Sequence, residues 1–267
     1  MATRLSKAAL SRLRGYRLKK RREAEGRFLI EGFHLLDEAM KAGLPVLELV
    51  YEEGRAFPAP HAAILERARP RAAKVAGAGE AALAKLAETE TSQGVVALVE
   101  GPRWTAEAAL GRMPARGPVR LLALDAIADP GNCGSIARAA EWFGMDAALL
   151  GAGCAALSNA KTLRASMGAA FHLPCAEGVD LPARLAALKE AGVTVVAAEA
   201  RGGRSAAGFR WPERCVLVVG GEARGLGEGT RRLADERLAI PRFGSVESLN
   251  AAGAACALLA LWRVGGG

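Results

Sequence analysis

Three short stretches of this chain hold residue types suited to chemistry. Asn132-Cys133-Gly134-Ser135-Ile136-Ala137-Arg138 sets an amide, a glycine and an arginine at the start of a helical pattern. Ile136, Ala139, Ala140 and Phe143 share one face at 100° per residue, and Arg138 falls on the opposite side. A helix N-terminus with a glycine one turn before an arginine suits an anion such as phosphate. A capped surface helix with an exposed arginine fits the same spacing. The second stretch, Val219–Gly227, places Gly220, Gly221, Gly225 and Gly227 around Glu222 after an apolar run. Such a loop either approaches something closely or turns through positive φ. It is neither G-x-G-x-x-G nor G-x-x-x-x-G-K-[ST], so it carries no dinucleotide or Walker fingerprint. The third runs from Ile240-Pro241 through Gly244 to Ser248-Leu249-Asn250, and leads into Ala251–Trp262, which has no charged residue. A helix apolar all round must be covered, by the fold or by a second subunit. A C-terminal core helix with a Ser or Asn cap also accounts for it.

These stretches need a scaffold that brings them together. Val119–Leu124, Ala147–Leu150, Val193–Ala198, Val216–Val219 and Leu238–Ile240 read as buried strands. Helices are expected from an Asn132 N-cap to Phe143, then at Ala160–Ala165, Leu181–Ala191 and Leu249–Val264. Strand–helix alternation of this kind predicts an α/β fold with a mostly parallel sheet, where ligands collect at the strand C-termini. Before it, residues 1–102 read as a smaller α/β unit. Its elements are Phe28–Ile30, a helix through Lys41, Leu47–Tyr51, His61–Arg67, Ala72–Val75, Glu80–Leu86 and Gly94–Val99. Residues 103–118, with two prolines, read as a linker, and 119–267 as the second domain.

The 267-residue chain is 51% apolar and 24% charged, with a net charge of +8. That excludes a disordered chain. The longest apolar run falls short of the roughly 20 residues that span a bilayer. No apolar stretch follows the basic N-terminus as in a secretory signal, so a cytoplasmic protein without membrane contact is expected. The charge is concentrated: Arg4, Lys7, Arg12, Arg14, Arg17, Lys19, Lys20, Arg21 and Arg22 precede the first acid. The rest of the chain holds 27 basic and 28 acidic side chains. Such a block points to nucleic acid; a solvated basic tail is the bland alternative. Cys133, Cys154, Cys175, Cys215 and Cys256 form no CxxC, and His34, His61 and His172 stand apart. No metal site is expected, and the cysteines read as buried and idle.

In this order the three stretches resemble the SpoU branch of the SPOUT methyltransferases, also called the TrmH family. N-x-G-x-x-x-R-x-A matches at Asn132, Gly134, Arg138 and Ala140. G-x-E-x-x-G matches at Gly220, Glu222 and Gly225. I-P-x-x-G-x-x-x-S-L-N matches at Ile240, Pro241, Gly244, Ser248, Leu249 and Asn250. Arg27–Gly32 and the basic block look like the small N-terminal RNA-binding domain of rRNA-directed members. The resemblance implies a C-terminal trefoil knot, against the rule that chains are unknotted. It implies S-adenosylmethionine held at Gly220, Gly221, Ile240, Pro241, Gly244 and Leu249. It also implies a homodimer through the C-terminal knot region, and methyl transfer to a ribose 2′-hydroxyl of RNA, with rRNA favoured over tRNA. Arg138 matches the family's catalytic arginine; Asn132, Glu222, Ser248 and Asn250 would position it, the RNA or the cofactor loops. Arg242-Phe243 replaces the methionine and small residue of many members. The same reaction on tRNA, or a non-catalytic RNA-binding or ribosome-assembly factor, are the alternatives; an oxidoreductase is disfavoured by the missing fingerprint.

Overall fold

The computed structural model describes residues 3–222 and 224–265. The chain divides into two compact units. The first holds residues up to Arg103 together with Ser158–Phe171, and the second holds Trp104–Leu157 and the chain from His172 onward.

In the first unit the elements are β1 (Thr3–Arg4), α1 (Lys7–Arg14), α2 (Lys19–Glu25), β2 (Arg27–Glu31) and α3 (Phe33–Lys41). β3 (Val46–Glu52), α4 (Ala59–Ala68), β4 (Val75–Ala78), α5 (Glu80–Ala84) and β5 (Val95–Glu100) follow. The sheet order is β1-β4-β3-β5-β2, with β5 antiparallel to both neighbours. The basic block is folded rather than free. Ser6 caps α1 by accepting from the Ala9 N–H at 3.1 Å, and Gly26, at φ +65°, ends α2. Between them Leu13 and Tyr16 are buried against Val50, Leu83, Leu86 and Val96. The apolar spacing of Leu13 and Tyr16 therefore ties the block to the core.

The second unit contains α6 (Ala106–Leu110), β6 (Val119–Asp125), α7 (Pro130–Trp142), β7 (Ala147–Gly151) and, after an excursion into the first unit as α8 (Ala160–Ser166), β8 (Cys175–Val179). Then come α9 (Leu181–Glu190), β9 (Thr194–Ala198), β10 (Arg204–Ser205), β11 (Arg214–Gly220), α10 (Glu228–Arg232), β12 (Glu236–Ala239) and α11 (Ala251–Val264). Seven parallel strands run in the order β10-β12-β9-β11-β6-β7-β8. β6 and β11 lie inside the sheet and are Val/Leu runs because both faces are covered. Leu121, Leu149, Val216 and Val218 are fully buried. Each such side chain contributes about 1.5–3 kcal/mol of transfer free energy.

Three local expectations need correction. Asn132 is not the N-cap of α7: Pro130 occupies the first turn, and Asp129 caps it by accepting from the Asn132 N–H at 2.8 Å. Proline suits that position because its missing N–H would be unpaired anyway. The last helix starts at Ala251, not Leu249, because Asn250 caps it by accepting from the Gly253 N–H at 2.7 Å. Residues 103–118 are more than a linker. Thr105 caps α6, and Ala109 and Leu110 are buried in the core of the second unit.

Candidate active site

A cavity of about 420 Å³ opens at the C-terminal edge of the parallel sheet. Its floor is the ends of β11, β9 and β12, and its walls are the 240–250 loop and the first turns of α11. All six residues expected at the cofactor line it: Gly220, Gly221, Ile240, Pro241, Gly244 and Leu249. Glu222 and Ser248 line it as well, whereas Asn132, Arg138 and Asn250 do not.

The glycine pair is required by the protein's own backbone. A Cβ on Gly220 would lie 2.4 Å from the Gly225 carbonyl carbon, and one on Gly221 would lie 2.4 Å from the Ala126 oxygen. Gly221 donates its N–H to the Asp125 carbonyl at 2.9 Å and accepts from the Gly225 N–H at 2.8 Å. Asp125 Oδ2 accepts from the Gly227 N–H at 2.9 Å, which fixes the far end of the turn. By contrast, a Cβ on Gly244 would meet nothing within 4 Å.

Glu222 joins two of the three motifs. Its Oε1 accepts from Asn132 Nδ2 at 2.8 Å and from the Ala251 N–H at 3.1 Å. A carboxylate at the first N–H of α11 satisfies an orphan donor and meets the positive end of the helix dipole. Asn132 and Glu222 are thus joined within one chain, and Asn250 is the helix cap. Arg138 projects from the exposed side of α7, opposite the buried Cys133, Ile136, Ala137 and Ala140. Among the described residues no hydrogen bond or ion pair engages its guanidinium. It is a cation left available to something outside this chain.

Sequence reasoning missed several parts of the site. Ala198, Glu199 and Ala200, at and just after the end of β9, line the cavity. Their signal was the strand itself, since neighbouring parallel strands end at one crevice. Glu199 is held by Arg231 at 2.8 Å. Ala126 adopts φ +56°, a left-handed conformation that is rare outside glycine, and it directs its oxygen at Gly221. Phe243, the departure from the family pattern, is 98% exposed at the cavity wall.

Four of the five cysteines are poor nucleophiles. Cys133 sits in the first turns of α7, where the dipole favours a thiolate, yet burial wins and pushes its pKa up to about 12. Burial likewise raises Cys154 to about 11, and raises Cys175 and Cys215 well above the usual thiol range. Cys256 alone is exposed. Among the described residues no group of three His, Cys, Asp or Glu side chains is placed to hold a metal, and no helix is long and apolar enough to cross a membrane.

Comparison with known proteins agrees with this geometry. Residues 120–260 match the SpoU rRNA Methylase family, and residues 8–97 match the MRM3-like substrate binding domain. The 23S rRNA (guanosine(2553)-2′-O)-methyltransferase RlmP of Bacillus subtilis is 34% identical over 241 residues, covering 90% of each chain. The SpoU methyltransferase AviRb from Streptomyces viridochromogenes, solved with AdoMet, superposes with a TM-score of 0.83 at 28% identity, covering 95% of this chain and 96% of that one. The AdoMet-bound rRNA methyltransferase from Sinorhizobium meliloti gives 0.82 at 26% identity, covering 97% and 95%. With the family matched over residues 120–260 and relatives matched over nearly the whole chain, the protein belongs to the SpoU rRNA Methylase family.

Proposed function

We propose that this protein transfers a methyl group from S-adenosylmethionine to a ribose 2′-hydroxyl in rRNA. The observation that carries the reading is the cavity itself: the six residues expected at the cofactor all line it, in a chain that matches a 23S rRNA 2′-O-methyltransferase over 90% of each sequence. The cavity fits the cofactor. Its volume lies within the range of small-molecule sites. Its lining combines apolar side chains (Leu238, Ile240, Leu258) with approachable backbone at Gly220 and Leu249. Bound there, the cofactor supplies a sulfonium-activated methyl.

The chain's own residues do the rest. Backbone at Gly220, Ile240 and Leu249 would hold the cofactor, and Pro241 and Gly244 shape the wall. Glu222 locks the loop after β11 to α7 and α11, so the two sides of the site keep one geometry. Orienting a weak nucleophile in line with its electrophile is a large part of such catalysis. Arg138 binds RNA phosphate and stabilises negative charge developing on the 2′-oxygen. The guanidinium serves as a fixed charge, so the proton leaves to phosphate or water. Ser248 and Asn250 set the loop that faces the RNA.

The first unit binds the RNA substrate and the second carries cofactor and chemistry. The reading extends to the family's trefoil knot, whose loops would be the turn after β11 and the 240–250 segment. It also includes a homodimer through α11, whose exposed Gly253 and Cys256 lie on a face with no charge before Arg263. An rRNA substrate places the work in the cytoplasm. The test is transfer of labelled methyl from S-adenosylmethionine to an unmodified 23S rRNA transcript. Incorporation is expected, whereas RNA binding without incorporation would assign the chain to non-catalytic RNA-binding factors.

A further inference from the structure

The nine cations of the basic block fall into two groups by what their side chains do. Four are fastened inside the first unit. Arg12 pairs with the buried Glu48, and Arg17 donates to the Ala87 carbonyl. Arg21 pairs with Glu25 at 2.8 Å, donates to the Arg12 carbonyl at 3.0 Å and lies 4.3 Å over the Tyr16 ring. Arg22, only 8% exposed, donates to the Tyr16 and Arg17 carbonyls and to Ser158 Oγ.

The second group behaves differently. Arg4, Lys7, Arg14 and Lys20 are exposed, and among the described residues no hydrogen bond or ion pair engages them. Lys19 makes only a loose surface pair with Glu23 at 3.5 Å. Lys7 and Arg14 are seven residues apart on α1, nearly two full turns, so they share one stripe. Lys7 and Lys20 also sit in the first turns of α1 and α2, neither of which contains an acid. A cation there faces the positive end of the helix dipole, which works against the fold. Lys7 and Lys20 are therefore carried at a cost to local stability, whereas Arg14, in the last turn of α1, faces the favourable end of its dipole; none of the four side chains has a partner among the described residues. Polyphosphate is the chemistry that uses them.

We infer that Lys7, Arg14 and Lys20, with Arg4, contact the phosphate backbone of the substrate RNA, and that Arg12, Arg17, Arg21 and Arg22 hold the unit together. The inference rests on the rRNA reading above and assigns its residues. It means that the block's nine charges do not act as nine phosphate contacts: about half are spent internally.

The test uses the full chain and an unmodified 23S rRNA transcript, with binding measured across a salt series. Each phosphate contact contributes about 0.7–0.9 to the slope of log K against log salt. The triple variant Lys7→Ala/Arg14→Ala/Lys20→Ala is expected to lower that slope by about 2–3 and weaken binding, while Tm does not fall and S-adenosylmethionine binding stays at its wild-type value. Arg22→Ala is expected to lower Tm while the folded protein keeps its slope. Wild-type affinity and slope in the triple variant would overturn the inference. So would an Arg22→Ala protein that loses as much slope as the triple variant with Tm unchanged. Failure of the enzyme reading is separate: a wild-type protein that binds the transcript and transfers no methyl would sink that reading and leave the slope comparison intact.

Discussion

Among the described residues Arg138 has no side-chain partner on the exposed side of α7, and the proposed reaction asks of it a permanent charge rather than a proton. Arg138→Ala should reduce kcat by about 10²–10³-fold, the scale of losing one oxyanion stabiliser. Arg138→Lys should retain measurable activity, because a charge remains even without the planar fork. Steady-state kinetics decides, and a lysine variant as inactive as the alanine one would show that charge alone is inadequate. The buried thiols make a second prediction at this scale. Cys133, at about 12, and Cys154, at about 11, stay protonated in the folded protein where unfolded thiols ionise near pH 8.5. Below that pH both states hold the proton, so the contribution to stability is complete. Above it the unfolded chain binds fewer protons and stability falls toward pH 11–12. Tm should decline above about pH 8.5, less steeply in Cys133→Ala; an identical decline in the variant would contradict this account. Residue types and spacing singled out the three stretches, while the roles within them came from the family resemblance. The Glu222 bond to Asn132 was not, because it joins positions 90 residues apart.

Helices and strands were read with uneven success, and the failures have physical causes. β6 and β11 stand out because a strand buried on both faces must be continuously apolar. The start of α7 was misplaced because Asp129 and Asn132 are both good caps, and Pro130 at the first turn decides between them. α6 was hidden because its five residues show less than two turns of periodicity, and only burial of Ala109 and Leu110 reveals it. α11 was expected to be covered on all sides, yet Gly253 and Cys256 are exposed within the chain. If a second copy covers that face, a charge there meets its own image across the two-fold axis. Cys256→Glu should therefore convert a dimer to a monomer in light scattering, and a variant that stays dimeric at the same concentration would contradict the α11 interface. The basic block shows the opposite error of emphasis. Deleting residues 1–22 would remove Leu13, Tyr16 and Arg22 from the first unit, so point substitutions test its RNA role more cleanly.

For the molecule as a whole, the net charge of +8 describes one end of a chain that is otherwise nearly balanced. Part of that end is consumed in building the first unit. The chain also returns to this unit at Ser158–Phe171, where Phe171 stacks on Phe28 at 6.2 Å and His34 meets the Met167 carbonyl at 3.0 Å. Sequence periodicity showed the helix in that segment but not its unit, since Phe28 and His34 lie more than 130 residues earlier. In the function proposed above, the first unit captures RNA and the second carries the cofactor chemistry. The account's central claim is the position of the transferred methyl. It is tested most directly by mapping the product of the transfer reaction on 23S rRNA and on tRNA at nucleotide resolution. The account predicts an alkali-resistant linkage at a ribose in the rRNA, absent from tRNA. A methyl on a base, or one found only in tRNA, would contradict it.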